Sequence, residues 1–187
     1  MAARGLSRAL AIGERVFLRR PTPGDEGEFL SAVDASRSLH RGWVEPPATP
    51  ETFADYVRRS RKLSCDGCVV CRLDGGELVG VVNVNEIVRG SFLSGYLGYY
   101  AFAAWAARGY LREAVFLEVR RSFERLGLHR LEANVQPRNL RSRALVESLG
   151  FRLEGLSPHY LKVGGRWRDH ERWAFTVEDW RSQKPRR

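Results

Sequence analysis

Long apolar runs are missing from this 187-residue chain. The longest candidate, Ala101 to Ala107, falls far short of the roughly 18 residues a membrane span requires, so a soluble globular protein with no membrane partner is expected. Cysteine is nearly absent too. The three copies, Cys65, Cys68 and Cys71, spell C-x2-C-x2-C, yet an iron–sulfur cluster takes a fourth thiolate that the chain does not have. Metal binding is therefore not expected, and Cys68 and Cys71, flanking Val69 and Val70, read as small hydrophobes in a strand of a protein kept in a reducing compartment. Only Ala9 to Ile12 is apolar before Gly13 and Glu14, too little for a secretory signal, which points to the cytoplasm. Lysine occurs only at positions 62, 162 and 184, so the excess of 31 basic over 22 acidic residues, a net +9, is almost all arginine. Such a surplus suits phosphate-bearing partners without separating DNA, RNA and phosphorylated cofactors.

What is present suits one domain with a real core: 43% of the residues are hydrophobic and 28% charged. Residues 1–14 read as an N-terminal extension, 15–181 as the domain and 182–187 as a basic tail. Arg15 to Arg20 predicts a strand stopped by Pro21 and Pro23, and Asp25 opens a helix with Phe29, Leu30 and Val33 at helical spacing. The Pro-rich stretch 41–50 is a loop, after which Thr49 begins a second helix containing Phe53, Tyr56 and Val57. Strands follow over Cys68 to Leu73, Leu78 to Val88 and Leu93 to Ala101, with Asp74, Gly75 and Gly76 as hairpin chemistry between the first two. A helix over Tyr110 to Leu126 is closed by Gly127; a strand over Leu131 to Val135 and a helix over Leu140 to Leu149 come next. Two strands, Tyr160 to Val163 and Trp173 to Val177, end the pattern. This order predicts an α/β fold with a mixed central sheet of about seven strands flanked by about four helices.

Two segments carry candidate chemistry. In Tyr99 to Ala114 a strand passes through a loop into a helix whose start holds Ala106, Ala107, Arg108 and Gly109. Small side chains there let backbone N–H groups approach a ligand, and the helix N-terminus adds positive potential suited to a pyrophosphate. Asn134 to Phe151 repeats the theme and ends in N-x-x-S-x-x-L-x-x-x-L-G-F. Together with IVRGSF (Ile87 to Phe92), YLGY (Tyr96 to Tyr99), HR (His129, Arg130), LGF (Leu149 to Phe151), EG (Glu154, Gly155) and GRWRDH (Gly165 to His170), these words resemble the acetyl-CoA-dependent N-acetyltransferases of the GNAT superfamily. The nearer resemblance is to the RimJ/RimL type, which acetylates the N-terminal alanine of a ribosomal protein. It runs from about Val16 to Trp180.

The resemblance implies a GNAT fold, acetyl-CoA as cosubstrate and direct transfer to a protein N-terminus. It further implies that the strand ending in Tyr100, Ala101 and Phe102 splays from its neighbour and pairs with the pantetheine arm. Ala106, Ala107, Arg108, Gly109, Tyr110 and Leu111 would hold the pyrophosphate, Asn139 would bond the pantetheine arm, and Ser142 would lie near the thioester sulfur. Arg108, Arg141 and Arg143 are candidates to meet phosphates. Two features depart from the family pattern. Of the phosphate motif Q/R-x-x-G-x-G/A the chain retains only the middle glycine, Gly109, and the tyrosine that protonates the departing thiolate in many relatives is matched by Val146, which leaves Ser142 as the nearest substitute.

An α-amine needs only modest help to lose its proton near neutrality, its pKa being about 7.7–8.0. Glu86, two and four residues beyond Val84 and Val82, is expected on their strand face, where partial burial suits a base. His159 is the rival base, with His129 and His170 less favoured. Trp43 in the Pro-rich loop, Tyr99 and Tyr160 are the candidates to wall the acceptor channel. Two further readings stand beside this one: acetylation of a small-molecule amine, and a non-catalytic module binding RNA or the ribosome through the basic surface. The oligomeric state, monomer or dimer, is open.

Overall fold

Local chemistry sets the first helices. Thr22 and Asp25 close a turn after Pro21, with the Thr22 N–H donating to Asp25 Oδ2 at 2.8 Å, and helix α1 (Glu26–Ala35) follows. Thr49 caps α3 (Pro50–Arg59) by accepting from the Thr52 N–H, and Pro50 supplies a preset first turn. Phe53 and Tyr56, one turn apart, are both buried against Phe29 of α1, the Phe29–Phe53 ring centroids lying 4.7 Å apart. Between these helices lies a four-residue helix, α2 (Arg37–His40), which the sequence pattern does not announce.

The computed structural model describes residues 5–183. Its sheet has eight strands in the order β1-β2-β3-β4-β5-β6-β8-β7: β1 (Ala11–Ile12), β2 (Val16–Arg19), β3 (Asp66–Arg72), β4 (Leu78–Val88), β5 (Ser94–Ala101), β6 (Arg130–Val135), β7 (Arg152–Val163) and β8 (Arg166–Thr176). Every neighbouring pair is antiparallel except β5 and β6. Helices α4 (Tyr110–Glu124), α5 (Leu140–Ser148) and α6 (Val177–Gln183) complete the chain's described part. The apolar core divides into two clusters. One contains residues of α4 and α5, among them Val115, Val119 and Val146, with Leu97, Leu131 and Trp173 from the sheet; the other contains Phe29, Phe53 and Tyr56 with Val69, Val81 and Phe102. Strands buried on both faces explain the near-continuous apolar runs of β3 and β4.

The count exceeds the expected seven strands and four helices because β1, α2 and α6 are too short to carry a period. Residues 11 and 12 of the expected N-terminal extension pair with β2, and the expected basic tail lies, beyond Gln183, outside the described residues. The last hairpin is also much longer than two short strands. β7 carries register shifts at Leu153/Gly155 and Ser157/Leu161, which break the two-residue alternation by which a strand is recognised.

A buried ion network fixes α4 to the sheet. Arg121 bonds both Asp66 of β3 and Glu118, one turn back on its own helix, at 3.1 Å from Nε to Glu118 Oε2. Arg20 grips Asp66 from the other side with both terminal nitrogens, at 2.6 and 2.9 Å. Glu118 has no exposed surface, and burial pushes its carboxyl up to about 7 against the pull of Arg121. A carboxyl whose pKa is raised by folding contributes stability that is present below its unfolded pKa, near 4.5, and lost as pH rises through about 7. Glu118 therefore contributes a fall in stability between pH 5 and pH 8, opposed below about 6.5 by His40 and His170, whose burial holds their pKa down. Glu118→Gln should remove its share, and scanning calorimetry of both proteins reads it as the difference between the two pH profiles.

Candidate active site

The parallel pair in the sheet creates an opening. β5 pairs with β4 as far as Gly80↔Ala101, but with β6 only from Ser94↔Arg130 to Leu97↔Ala133. Beyond Leu97 and Ala133 the two strands part. Gly80 is needed opposite this point, since a Cβ there would meet the Tyr100 carbonyl oxygen at 2.4 Å. The Phe102 N–H donates to Val79 O at 2.8 Å, toward β4. By the alternation of a strand, the backbone groups of Tyr99 and Ala101 point the other way, into the gap. His40 Nε2 donates to the Ala101 carbonyl at 2.8 Å, because a carbonyl only accepts.

A cavity of about 880 Å³ fills the gap. Its floor toward α4 is built of Ala106, Ala107, Gly109 and Leu111. Ala107 (φ 60°) and Gly109 (φ 81°) both have left-handed backbone, which turns the chain sharply into α4. The first helical bond runs from Glu113 N–H to Gly109 O, so the amides of Tyr110, Leu111 and Arg112 have no partner within the helix. At α5, Asn139 Oδ1 accepts from the Ser142 N–H at 3.2 Å, which leaves its Nδ2 as the group free to bond a ligand. Arg138 and Arg141 line the same end. Across the gap, the Tyr99 and Ser142 hydroxyls are hydrogen-bonded at 2.7 Å, and burial pushes the Tyr99 phenol up to about 12.

The sheet separates two sides of this cavity. Leu97, Tyr99, Ala133 and Val135 belong to the α4/α5 side, as do Glu171 and Trp173 of β8, Glu171 meeting Arg143 of α5 at 3.0 Å. Asn134 and His170, one position out of phase, face the α1–α3 side, where Tyr100, His40 and Trp43 also line the cavity. Asn134 Oδ1 is buried without a hydrogen-bond partner in the protein. The loop after α2 straps this side, tied by Gln136 Nε2 to the Gly42 carbonyl at 2.8 Å and by the Gly164 N–H to Glu45 Oε2 at 3.0 Å.

Of the expected cofactor residues, Tyr100, Ala101, Ala106, Ala107, Gly109, Leu111, Asn139 and Ser142 line the cavity, as do Tyr99 and Trp43 of the acceptor set. Phe102 does not: its amide is bonded to β4 and its ring is packed in the α1–α3 core. Nor do Arg108, whose guanidinium lies 5.6 Å from the Trp105 ring centroid, or Tyr110, covered by Arg15 at 5.0 Å. Arg143 is held by Glu171, away from a phosphate role. Glu86 is exposed at a bulge: the register slips between Asn85 and Val88, and Glu86 takes a left-handed φ of 47°, so it does not continue the Val82–Val84 face. His159 sits in the second bulge of β7, its side chain 81% exposed and its N–H held by Asp169. Neither of these lines the cavity, and Tyr160 stands behind His170 with ring centroids 6.4 Å apart. His170, one of the less favoured histidines, lines the cavity, whereas His40 and Asn134 carry no role in the sequence pattern; strand alternation gives a signal for Asn134 alone.

Residues 15–152 match the family model described as an acetyltransferase (GNAT) domain. Over 107 residues, 57% of this chain, the sequence is 41% identical to the ribosomal protein uS5-alanine N-acetyltransferase of Escherichia coli (strain K12), and the match spans about 55% of that relative's length. Among solved structures, Mycobacterium smegmatis RimJ in complex with CoA-disulfide superposes with a TM-score of 0.81 at 28% identity, covering 88% of this chain and 83% of that one. The ribosomal-protein-S5-alanine acetyltransferase of Vibrio fischeri gives a TM-score of 0.79 at 26% identity, covering 93% and 98%.

Proposed function

The chain belongs to the GNAT acetyltransferase family, and from that premise we propose that it transfers the acetyl group of acetyl-CoA to the N-terminal α-amine of a protein, a ribosomal protein being the acceptor class. The observation that carries this reading is the gap beyond Leu97 and Ala133, with edge amides on one flank and the uncapped start of α4 on the other. The residues present fit the cofactor. Tyr99 and Ala101 offer strand-edge groups to an amide-bearing arm, and the α4 amides with Arg138 and Arg141 offer donors to phosphates. Ala106 at the Q/R position and Leu111 at the second small-residue position of the family motif are compatible with this, since backbone N–H groups do the binding.

When bound, acetyl-CoA supplies an activated acyl group. The chain's own part is to hold that arm and to control protons. The Tyr99 and Ser142 hydroxyls share one hydrogen bond, and with the more acidic phenol as its donor the Ser142 O–H is left to hydrogen-bond a departing sulfur, whose proton comes from the attacking amine. Val146, in the place of the family tyrosine, is fully buried and takes no part.

A polyamine acceptor is disfavoured, because among the described residues no Asp or Glu lines the cavity while Arg112, Arg138 and Arg141 do. The net charge of +9 suits docking to an RNA-bearing particle, which brings a ribosomal substrate near. The test is to incubate the protein with acetyl-CoA and peptides bearing free or acetylated N-termini, with spermidine as a third acceptor. Acetylation of the free peptide alone is the expected result, and equal failure on every free amine would falsify the proposal.

A further inference from the structure

Resting on that reading, we propose that Asn134 and His170 form the seat of the acceptor amine, with His170 as its general base. Both belong to the side of the cavity opposite α4 and α5, and both line it. Asn134 pairs with Arg172 on β8, two residues from His170, so Asn134 and His170 are diagonal neighbours on one sheet face. Such neighbours lie about 7–8 Å apart with their Cβ atoms somewhat closer, a span that two side chains and one nitrogen with its hydrogens bridge.

The hydrogen-bond inventory of this seat matches a donor ligand. Asn134 Oδ1 is an acceptor, buried and without a protein partner. His170 Nδ1 lies 2.9 Å from the Arg168 carbonyl, which can only accept, so Nδ1 carries the proton and Nε2 carries the lone pair. The same carbonyl steadies the imidazolium once Nε2 is protonated. His40, the other cavity histidine, is committed through Nε2 to the Ala101 carbonyl, and its Nδ1 is sealed from solvent, leaving no exit for a proton.

The proton balance is complete. The incoming ammonium gives one proton to His170 Nε2, which passes it to solvent. The neutral nitrogen then forms the C–N bond as the C–S bond breaks, the sulfur leaves with the bonding pair, and the second nitrogen proton ends on sulfur. The products are an acetamide, a thiol and one released proton.

Burial holds the His170 imidazole below its ordinary pKa, so it is neutral and ready to accept at pH 7. The groups facing it are Arg168 and Arg172 on its own strand, Tyr160 from β7, Glu132 from β6 and His40 across the cavity, while Asp169 of its own strand pulls the pKa up weakly.

The experiment combines calorimetry with pH–rate profiles. His170→Gln should bind acetyl-CoA within about twofold of the parent yet lose about 10²–10³-fold in kcat/KM for a free-amine peptide at pH 7. Its residual rate should keep rising with pH as the amine ionises unaided. Asn134→Leu should raise the peptide KM by about tenfold or more and leave the shape of the profile intact. A His170→Gln enzyme with unaltered rate, or with a uniform loss at every pH, overturns the assignment. So does a parent profile with no acid limb below pH 6.5 beyond the amine's own titration, a test independent of how the variants fold. If the parent itself fails to bind acetyl-CoA, the acetyltransferase reading fails first and this seat falls with it.

Discussion

Asp66→Ala is expected to lower the unfolding free energy by about 3–5 kcal/mol, the usual cost of removing one member of a buried ion cluster. Asp66 is the hub on which Arg20 and Arg121 converge, and its side chain is 5% exposed. Without it, Arg121 keeps Glu118 and a weak contact to Cys68 Sγ, and Arg20 keeps the carbonyls of Ser60 and Gly67. A guanidinium cannot shed its charge to escape burial, so the loss is not relieved by a proton shift. Asp66→Asn, which keeps the shape and one acceptor oxygen, should cost less. Urea titrations at pH 7 read the difference as a shift in midpoint at unchanged slope. A shift of less than 1 kcal/mol for the alanine variant would show that the network is solvated in practice. The effect also reaches the site: α4 carries the free amides at its N-terminus and is fastened to β3 at Arg121, so the alanine variant should bind acetyl-CoA more weakly even where it is folded.

That network marks one limit of what the sequence discloses. Val115 and Val119 of α4 announce themselves by spacing, but nothing in the spacing marks Glu118 and Arg121 as buried, and only the fold brings Asp66, 55 residues upstream of Arg121, against them. Local signals did better. Thr49 and Pro50 start α3 where capping chemistry requires, the Leu78 to Val88 run is β4 residue for residue, and Tyr110 opens α4 one residue after its left-handed glycine. The donor side of the site was legible for the same reason: the segments around Gly109 and Asn139 are contiguous stretches with a local mechanism. The acceptor side was legible only in part, through Trp43 and Tyr99, which line the cavity. Glu86 does not reach the cavity as a base because one extra residue in β4 rotates the strand beyond Asn85, and a bulge of that kind leaves no mark on the hydrophobic pattern. His170 is brought to the cavity by the β6–β8 pairing of residues 36 or more apart in sequence, whereas His159 is turned outward by the bulge beside it.

Tyr99 and Ser142 should behave as one unit in catalysis. Ser142→Ala is expected to lower kcat about 10²-fold, the scale for losing one positioned donor at a reacting centre. Tyr99→Phe retains the ring, which packs on the α4/α5 core, and removes only the hydroxyl; about a tenfold loss is expected because Ser142 is then free to rotate. Neither hydroxyl gives up its proton: burial holds the Tyr99 phenol near 12, well above an ordinary thiol at about 8.5, and a serine hydroxyl is a weaker acid still, so the pair steadies the departing sulfur by hydrogen bonding while the proton that ends on sulfur comes from the amine. Tyr99 acts by accepting no role but that of donor to Ser142 Oγ, which leaves the serine hydroxyl one direction in which to donate. In the double variant the two losses should therefore not multiply: with Ser142 gone there is nothing for Tyr99 to orient, and the rate should equal that of Ser142→Ala within about twofold. The KM for acetyl-CoA should stay nearly constant through the series, since neither hydroxyl is needed to hold the pyrophosphate end at α4. Steady-state rates of the four proteins close the cycle. Multiplicative losses would mean that Tyr99 meets the reacting atoms directly, and a rise in KM without a fall in kcat would place the pair in ground-state binding instead.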